Sequence, residues 1–156
     1  MPGPADVPIG LLVSRTAKAL SRAFDDALAA AGGSTSTWLV LLALKTASHR
    51  TQAELAAAVG VRQPTLTHHL DGLERSGLVT RARDPENRRV QQVALTPAEE
   101  GLFRQLRVAA AVFDRQLRAG LSDSDVAGLR RVLAQLTANT GAGEPAAAAP
   151  TPATGY

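Results

Sequence analysis

Leucines and valines recur every three or four positions across residues 9 to 140, and the recurrence is interrupted once, between Leu78 and Leu95. A period near 3.6 lays apolar side chains along one face of a helix, whereas simple alternation lays them on one face of a strand. The chain therefore reads as mainly helical with one short extended segment, and its core forms where helix faces meet. The material for that core is restricted. There are 30 Ala against three Phe, one Trp and one Tyr, so Leu and Val must supply the buried volume and Ala lets helices approach closely. A length of 156 residues suits one domain and leaves no room for two independent cores.

Local signals bound the helices. Leu12, Leu20, Phe24 and Leu28 fall at multiples of four, with Thr16 in the missing step, which predicts an amphipathic helix over 9–31 stopped by Gly32 and Gly33. Ser34 or Thr35 caps a second helix to about Ala47, apolar nearly all round through Trp38, Leu41, Leu42 and Leu44 and so expected at the centre. Thr51-Gln52-Ala53-Glu54 has capping-box spacing and opens a short third helix, with Leu55 and Val59 inward and Gly60 at its end. Pro64 leads into a fourth helix whose buried side is Leu66, Leu70 and Leu73, ending near Ser76-Gly77. Leu78–Arg83 and Arg89–Leu95 flank the turn sequence Asp84-Pro85-Glu86-Asn87 and read as a β-hairpin. Thr96 is the expected N-cap of a long helix carrying Leu102, Leu106, Ala109, Phe113 and Leu117 to Gly120. Ser122 with Asp125 caps a last helix with Val126, Leu129, Leu133 and Leu136 as its buried stripe.

Residues 1–8 and 141–156 are rich in Pro, Gly and Ala and offer no apolar face, so a flexible arm and a disordered tail are expected there. The longest apolar run, Trp38 to Leu44, is far too short to cross a bilayer, and MPGPADVP lacks the segments of an export signal. A cytoplasmic protein without a membrane partner is expected. With no Cys, disulfides, thiolate metal sites, a catalytic Cys and sensing by thiol oxidation are excluded. His68 and His69 are adjacent on a helix and point apart, while His49 lies in another segment, so no metal site and no cofactor are expected. There is no nucleophile motif, no His with an evident carboxylate partner and no Gly-rich phosphate loop, which reads as a non-enzyme.

Two short helices joined by a Gly turn and followed at once by a basic hairpin have the order of a winged helix-turn-helix. Opposite the leucines of the fourth helix lie Pro64, Thr65, His68, Asp71, Gly72 and Arg75, a face almost free of Leu, Ile and Val. A helix of this kind enters a DNA major groove, where Thr, His and Arg meet base edges. The plain alternative is a solvated face on a purely structural domain. Arg75, Arg81, Arg83, Arg88 and Arg89 follow in close succession, partly offset by Asp84 and Glu86. An Arg at the hairpin tip can enter a narrow minor groove. The net charge is +3, carried by 15 Arg and two Lys, and the planar Arg fork suits phosphates and guanine edges.

From Arg50 to Gly101 the chain resembles the MarR family of bacterial transcription regulators. The resemblance lies in ELA of the first short helix, PTLTHHLDGLERSGLV through the second, the wing PENRR and the LT before the long helix. With the flanking helices it spans about 130 residues. It implies a mainly α fold with a small β-hairpin wing, a winged lobe over 34–96, and dimerisation helices over 9–33 and 97–140. It further implies a homodimeric repressor on a pseudo-palindromic site in double-stranded DNA, released by a small-molecule effector. Carried over by position, Gln63, Pro64, Thr65, Thr67 and His68 face bases or adjacent phosphates from the recognition helix, and Arg62 and Arg75 at its two ends are counted with its DNA face. Thr51, Gln52, Arg81, Arg83, Arg88 and Arg89 serve as contacts from the helix start and the wing. Phe24 and Trp38 are candidates for lining an effector cleft, with ordinary core packing as the alternative. Many relatives have Arg where His68 stands and Asp where Asn87 stands, which puts base preference and wing geometry in question. The rival reading is a ligand-sensing or protein-interaction module on the same fold without DNA binding.

Overall fold

The most apolar helix is the centre of the molecule. In the computed structural model, which describes residues 7–46 and 51–141, α2 (Thr35–Thr46) buries Trp38, Val40 and Leu41. Around it stand α1 (Ile9–Ala30), α3 (Gln52–Val59), α4 (Gln63–Arg75), the strands β1 (Val79–Arg83) and β2 (Gln91–Leu95), and α5 (Glu99–Arg118). The last helix, α6 (Asp123–Asn139), follows at the C-terminal end of α5. Leu28, Leu55, Leu66, Leu70, Leu73, Val79 and Leu106 complete the core, so each element from α1 to α5 except β2 gives at least one fully covered apolar side chain. Full burial of one such side chain contributes roughly 1.5–3 kcal/mol, which is why the leucine period decides the architecture.

The starts of the helices follow their capping residues in most cases. Ser34 Oγ accepts the Thr37 amide at 3.1 Å, and the Thr35 amide donates to Asp25 Oδ1 at 3.0 Å, tying α2 to α1. The Glu54 amide donates to the Thr51 hydroxyl at 3.1 Å. At α6 the full capping box with Ser122 and Asp125 is present. The turn between α1 and α2 is tight: a Cβ on Gly33 would sit 2.7 and 2.9 Å from the two methyl carbons of Leu106.

Two expectations need correction. Thr96 does not cap α5; its hydroxyl donates to the Gly77 carbonyl at 2.5 Å and its amide to Leu78 at 3.1 Å, and the helix starts only at Glu99. The antiparallel hairpin pairs Val79 with Leu95 through Arg83 with Gln91, so Leu78, Arg89 and Val90 lie outside its strands. The reason is local: Asp84 Oδ1 takes the amides of Glu86 and Asn87, and the Val90 amide returns to the Asn87 carbonyl at 2.8 Å. That folds residues 84–90 into a compact turn before pairing can begin. The stripes of the outer helices, which the resemblance assigns to dimerisation, are not covered within one chain. Leu12 and Leu20 of α1, Leu117 of α5, and Leu129 and Leu133 of α6 are exposed, and α6 buries no residue. The expected arm and tail lie, apart from residues 7, 8 and 141, outside the described residues. No single helix among the described residues is long and apolar enough to cross a membrane.

Candidate nucleic-acid interface

The connection from α3 to α4 begins with Gly60 in the left-handed region at φ 80°, where an L side chain would be strained. Its amide closes on the Ala56 carbonyl at 2.9 Å, and the Val61 amide reaches the same carbonyl at 3.0 Å. Arg62 then stands in extended conformation as the N-cap of α4, exposed and without a side-chain capping bond. Because Leu66, Leu70 and Leu73 are buried, Gln63, Pro64, Thr65, His68 and Arg75 are left in solvent on the other side. Asp71 and Gly72 on that face are half-buried.

Three of the expected contact residues hold the motif together. Gln52 Nε2 donates to Gln91 Oε1 of the wing, and Gln52 Oε1 lies 3.3 Å from the Thr67 hydroxyl of α4. That hydroxyl also lies 3.0 Å from the Gln63 carbonyl, so its one proton serves one of the two acceptors. Gln52 thus joins α3, α4 and β2. Arg81 turns back from the wing onto α4: its Nη2 bonds Asp71 Oδ1 at 2.5 Å and Glu74 Oε2 at 2.6 Å, and its Nε reaches Glu74 at 3.0 Å. The bonds to Glu74 and Asp71 raise its pKa above the ordinary value against the opposing effect of burial.

The other wing arginines are differently placed. Arg83, Arg88 and Arg89 are exposed, and none of them is in an ion pair among the described residues. Together with Thr51, Gln52, Gln63 and Gln91 they line a cleft of about 390 Å³ between the wing and the starts of α3 and α4. Asp84 organises the tip from below. Its pKa is lowered, first by the Glu86 amide, and its second oxygen accepts from Gln92 at 3.0 Å. Asn87, where a carboxylate was the familiar alternative, accepts the Arg89 backbone amide on its side-chain oxygen at 3.2 Å. The Asn therefore shapes the main chain at Arg89 and leaves the guanidinium unpaired by charge.

A second cleft, of about 320 Å³, opens between the α1–α2 turn, α4 and α5, and is lined by residues including Ser34, Thr37, His68, His69, Arg75 and Leu102. Phe24 and Trp38 line neither cleft. Phe24 meets Phe113 with ring centroids 5.1 Å apart, and Trp38 stacks on Phe103 at 5.3 Å. Ser34, Thr37, His69 and Leu102 reach this cleft from three segments that only the fold brings together. Among the described residues no group of three or more His, Asp or Glu could hold a metal ion; His49 lies outside them.

A helix-turn-helix with a bare polar second helix, continued by a wing with unpaired arginines, defines a winged helix-turn-helix of the DNA-binding kind. Residues 34–90 match the family profile described as MarR family. The chain is 30% identical over 113 residues to YwoH of Bacillus subtilis, an uncharacterized HTH-type transcriptional regulator, which covers 72% of this chain and 82% of that protein. The chain belongs to the MarR family of transcriptional regulators. Among solved structures, transcriptional regulator PA3341 matches with a TM-score of 0.71 at 37% identity, covering 86% of this chain and 98% of its own. The transcriptional repressor CouR, bound to a 23-mer DNA duplex, matches at 0.77 and 25% identity over 86% of this chain and 96% of its own. CouR from Rhodococcus jostii RHA1 bound to p-coumaroyl-CoA matches at 0.69 and 26% identity, over 86% and 95%.

Proposed function

We propose that this regulator is a homodimeric repressor that sits on a pseudo-palindromic promoter site and leaves it when a small molecule binds. The observation that carries the reading is the arginine-lined cleft beside the bare face of α4. Arg83, Arg88 and Arg89 suit phosphates and the minor groove, with half-buried Thr51 at the start of α3 as a further phosphate contact. Arg62, Gln63, Pro64, Thr65, His68 and Arg75 face the major groove, where Gln, His and Arg can read base edges and Thr can meet a thymine methyl. Gln52, Thr67 and Arg81 keep wing and helix in register. Dimerisation is supported by the uncovered leucines of α1 and the uncovered leucines and valines of α5 and α6, apolar surface that one chain leaves exposed. A dimer covering promoter DNA excludes polymerase without further contacts, which favours repression. Such work belongs in the bacterial cytoplasm, at the nucleoid when DNA is bound, and needs no catalysis.

For the effector we assign the second cleft in place of Phe24 and Trp38. Its imidazoles and Arg75 suit an anionic group, and Leu102 with its neighbours suits an apolar body. The test uses labelled random duplexes, followed by selection of the best site, at two salt concentrations. Steep loss of affinity with salt together with a selected inverted repeat is expected. Absence of binding at low salt would favour the ligand-sensing module without DNA affinity.

A further inference from the structure

One charged group is fully buried among the described residues, and the DNA-reading surface does not use it. Glu99, in the first turn of α5, is 2% exposed. Its Oε1 lies 2.8 Å from Lys45 Nζ near the end of α2, while its Oε2 is buried without a hydrogen-bond partner among the described residues. Lys45 also bonds Glu100 at 2.6 Å and sits 4.6 Å above the ring of Phe103, which in turn stacks on Trp38. Burying a carboxylate with one oxygen unsatisfied is costly, and a well-packed apolar pair at such a place is commonly as stable or more so. What an ion pair adds over an apolar contact is directionality: leucines can slide past each other, whereas Nζ and Oε1 hold one register.

The register concerned is that of α5 against the winged lobe. Thr96, just before α5, is bonded to Gly77 and Leu78 at the α4–β1 junction, and Glu99 and Glu100 are bonded to α2. The start of α5 is thus fastened to the lobe at two points. Further along, Phe113 meets Phe24 of α1, and Val108, Val112 and Leu117 are exposed. With 20 residues α5 is about 30 Å long, so a tilt of about 6° at its start displaces its far end by about 3 Å, close to one base-pair step.

We propose that the Lys45–Glu99 pair is a positioning element that fixes the angle between the winged lobe and α5, and through it the half-site spacing that the dimer accepts. This rests on the dimeric DNA-binding reading above. If loosening the pair leaves each lobe in the binding orientation only part of the time, apparent affinity falls by that fraction.

The chain has no Cys, so introduced thiols label uniquely. Spin labels at Thr80→Cys on β1 and Arg115→Cys on α5, both exposed positions, report the lobe-to-helix distance within one chain when labelled protein is diluted with unlabelled. The pair is tested with Glu99→Gln and Lys45→Met, which keep side-chain volume. A narrow distance distribution in the parent and a broadened or shifted one in either variant is expected. On the selected site and on the same half-sites moved by one or two base pairs, the parent's spacing preference should shrink by about tenfold in the variants, with single half-site affinity unchanged. Folded variants that keep the parent's distance distribution and spacing profile would overturn the proposal, as would an equal loss on every duplex. Should Glu99→Gln fail to fold, Lys45→Met gives the same readouts from a site 20% exposed. A parent that binds no DNA defeats the regulator reading, while the distance measurement still decides the fastening.

Discussion

Arg81 and Arg89 lie eight residues apart in one basic segment, yet their surroundings predict opposite consequences of removal. Arg89 is exposed and in no ion pair among the described residues, so its charge is available to a phosphate. Counterion release contributes about 0.9 units of log–log salt slope per neutralised phosphate, and a dimer carries the residue twice. Arg89→Ala should therefore flatten the slope by about 1.8, weaken binding on cognate and scrambled duplexes alike, and leave the melting temperature unchanged. The Arg81 side chain is 14% exposed, and the Asp71 and Glu74 side chains it pairs with are 48% and 43% exposed. That lies between a surface pair of about 0–1 kcal/mol and a buried one of about 3–5, and the half-exposed partners put it near 1–2. For a domain of this size Arg81→Ala should lower the melting temperature by about 2–8 °C. Its salt slope should change by less than half as much as that of Arg89→Ala. Fluorescence anisotropy from about 50 to 200 mM salt, with thermal melts on the same samples, measures both. If Arg81→Ala flattens the slope as strongly as Arg89→Ala and melts like the parent, Arg81 is a phosphate contact and its role as a tie between wing and α4 is refuted.

Other outcomes follow from the same geometry. Glutamate at Leu117 or Leu133, both exposed in the single chain, should spare the core and give monomers by light scattering; a parent already monomeric at micromolar concentration would sink the dimer reading. His68→Ala should cost roughly 1–3 kcal/mol on the selected site and much less on scrambled DNA, and an equal loss on both would remove His68 from base reading. Gly33→Ala should destabilise by about 1–3 kcal/mol in urea titrations, because its methyl would press on the buried Leu106. Asp125 and Glu100 have pKa values lowered from 3.8 and 4.5, the first chiefly by the Ser122 amide and the second by Lys45. A lowered carboxylate stabilises above its unfolded value and loses that contribution as pH falls through the folded one. Melting temperatures should thus decline below about pH 4.5, and Asp125→Asn should melt lower at neutral pH with a smaller acid decline.

The order of elements was legible because it rests on interactions that reach only a few residues. Ser34, Thr51 and Ser122 cap helices by bonding an amide three positions on, and Leu66, Leu70 and Leu73 share a face through the helical repeat itself. Gly60 ends α3 through its own backbone freedom. The bare face of α4 follows from those facts alone. Tertiary structure decided what each polar side chain does with its charge. Nothing local distinguishes Arg81, spent on Asp71 and Glu74, from Arg83 and Arg89, which remain open; the choice depends on where β1 crosses α4. Gln52 became a bridge because folding brings Gln91 to it from 39 positions away, and Lys45 found Glu100 across 55. Thr96 looked like a cap until the hairpin carried the Gly77 carbonyl within reach of its hydroxyl. The stripes on α1 and α6 mark the same boundary from the other side, since periodicity says which face is apolar while only the assembled surfaces determine what covers it.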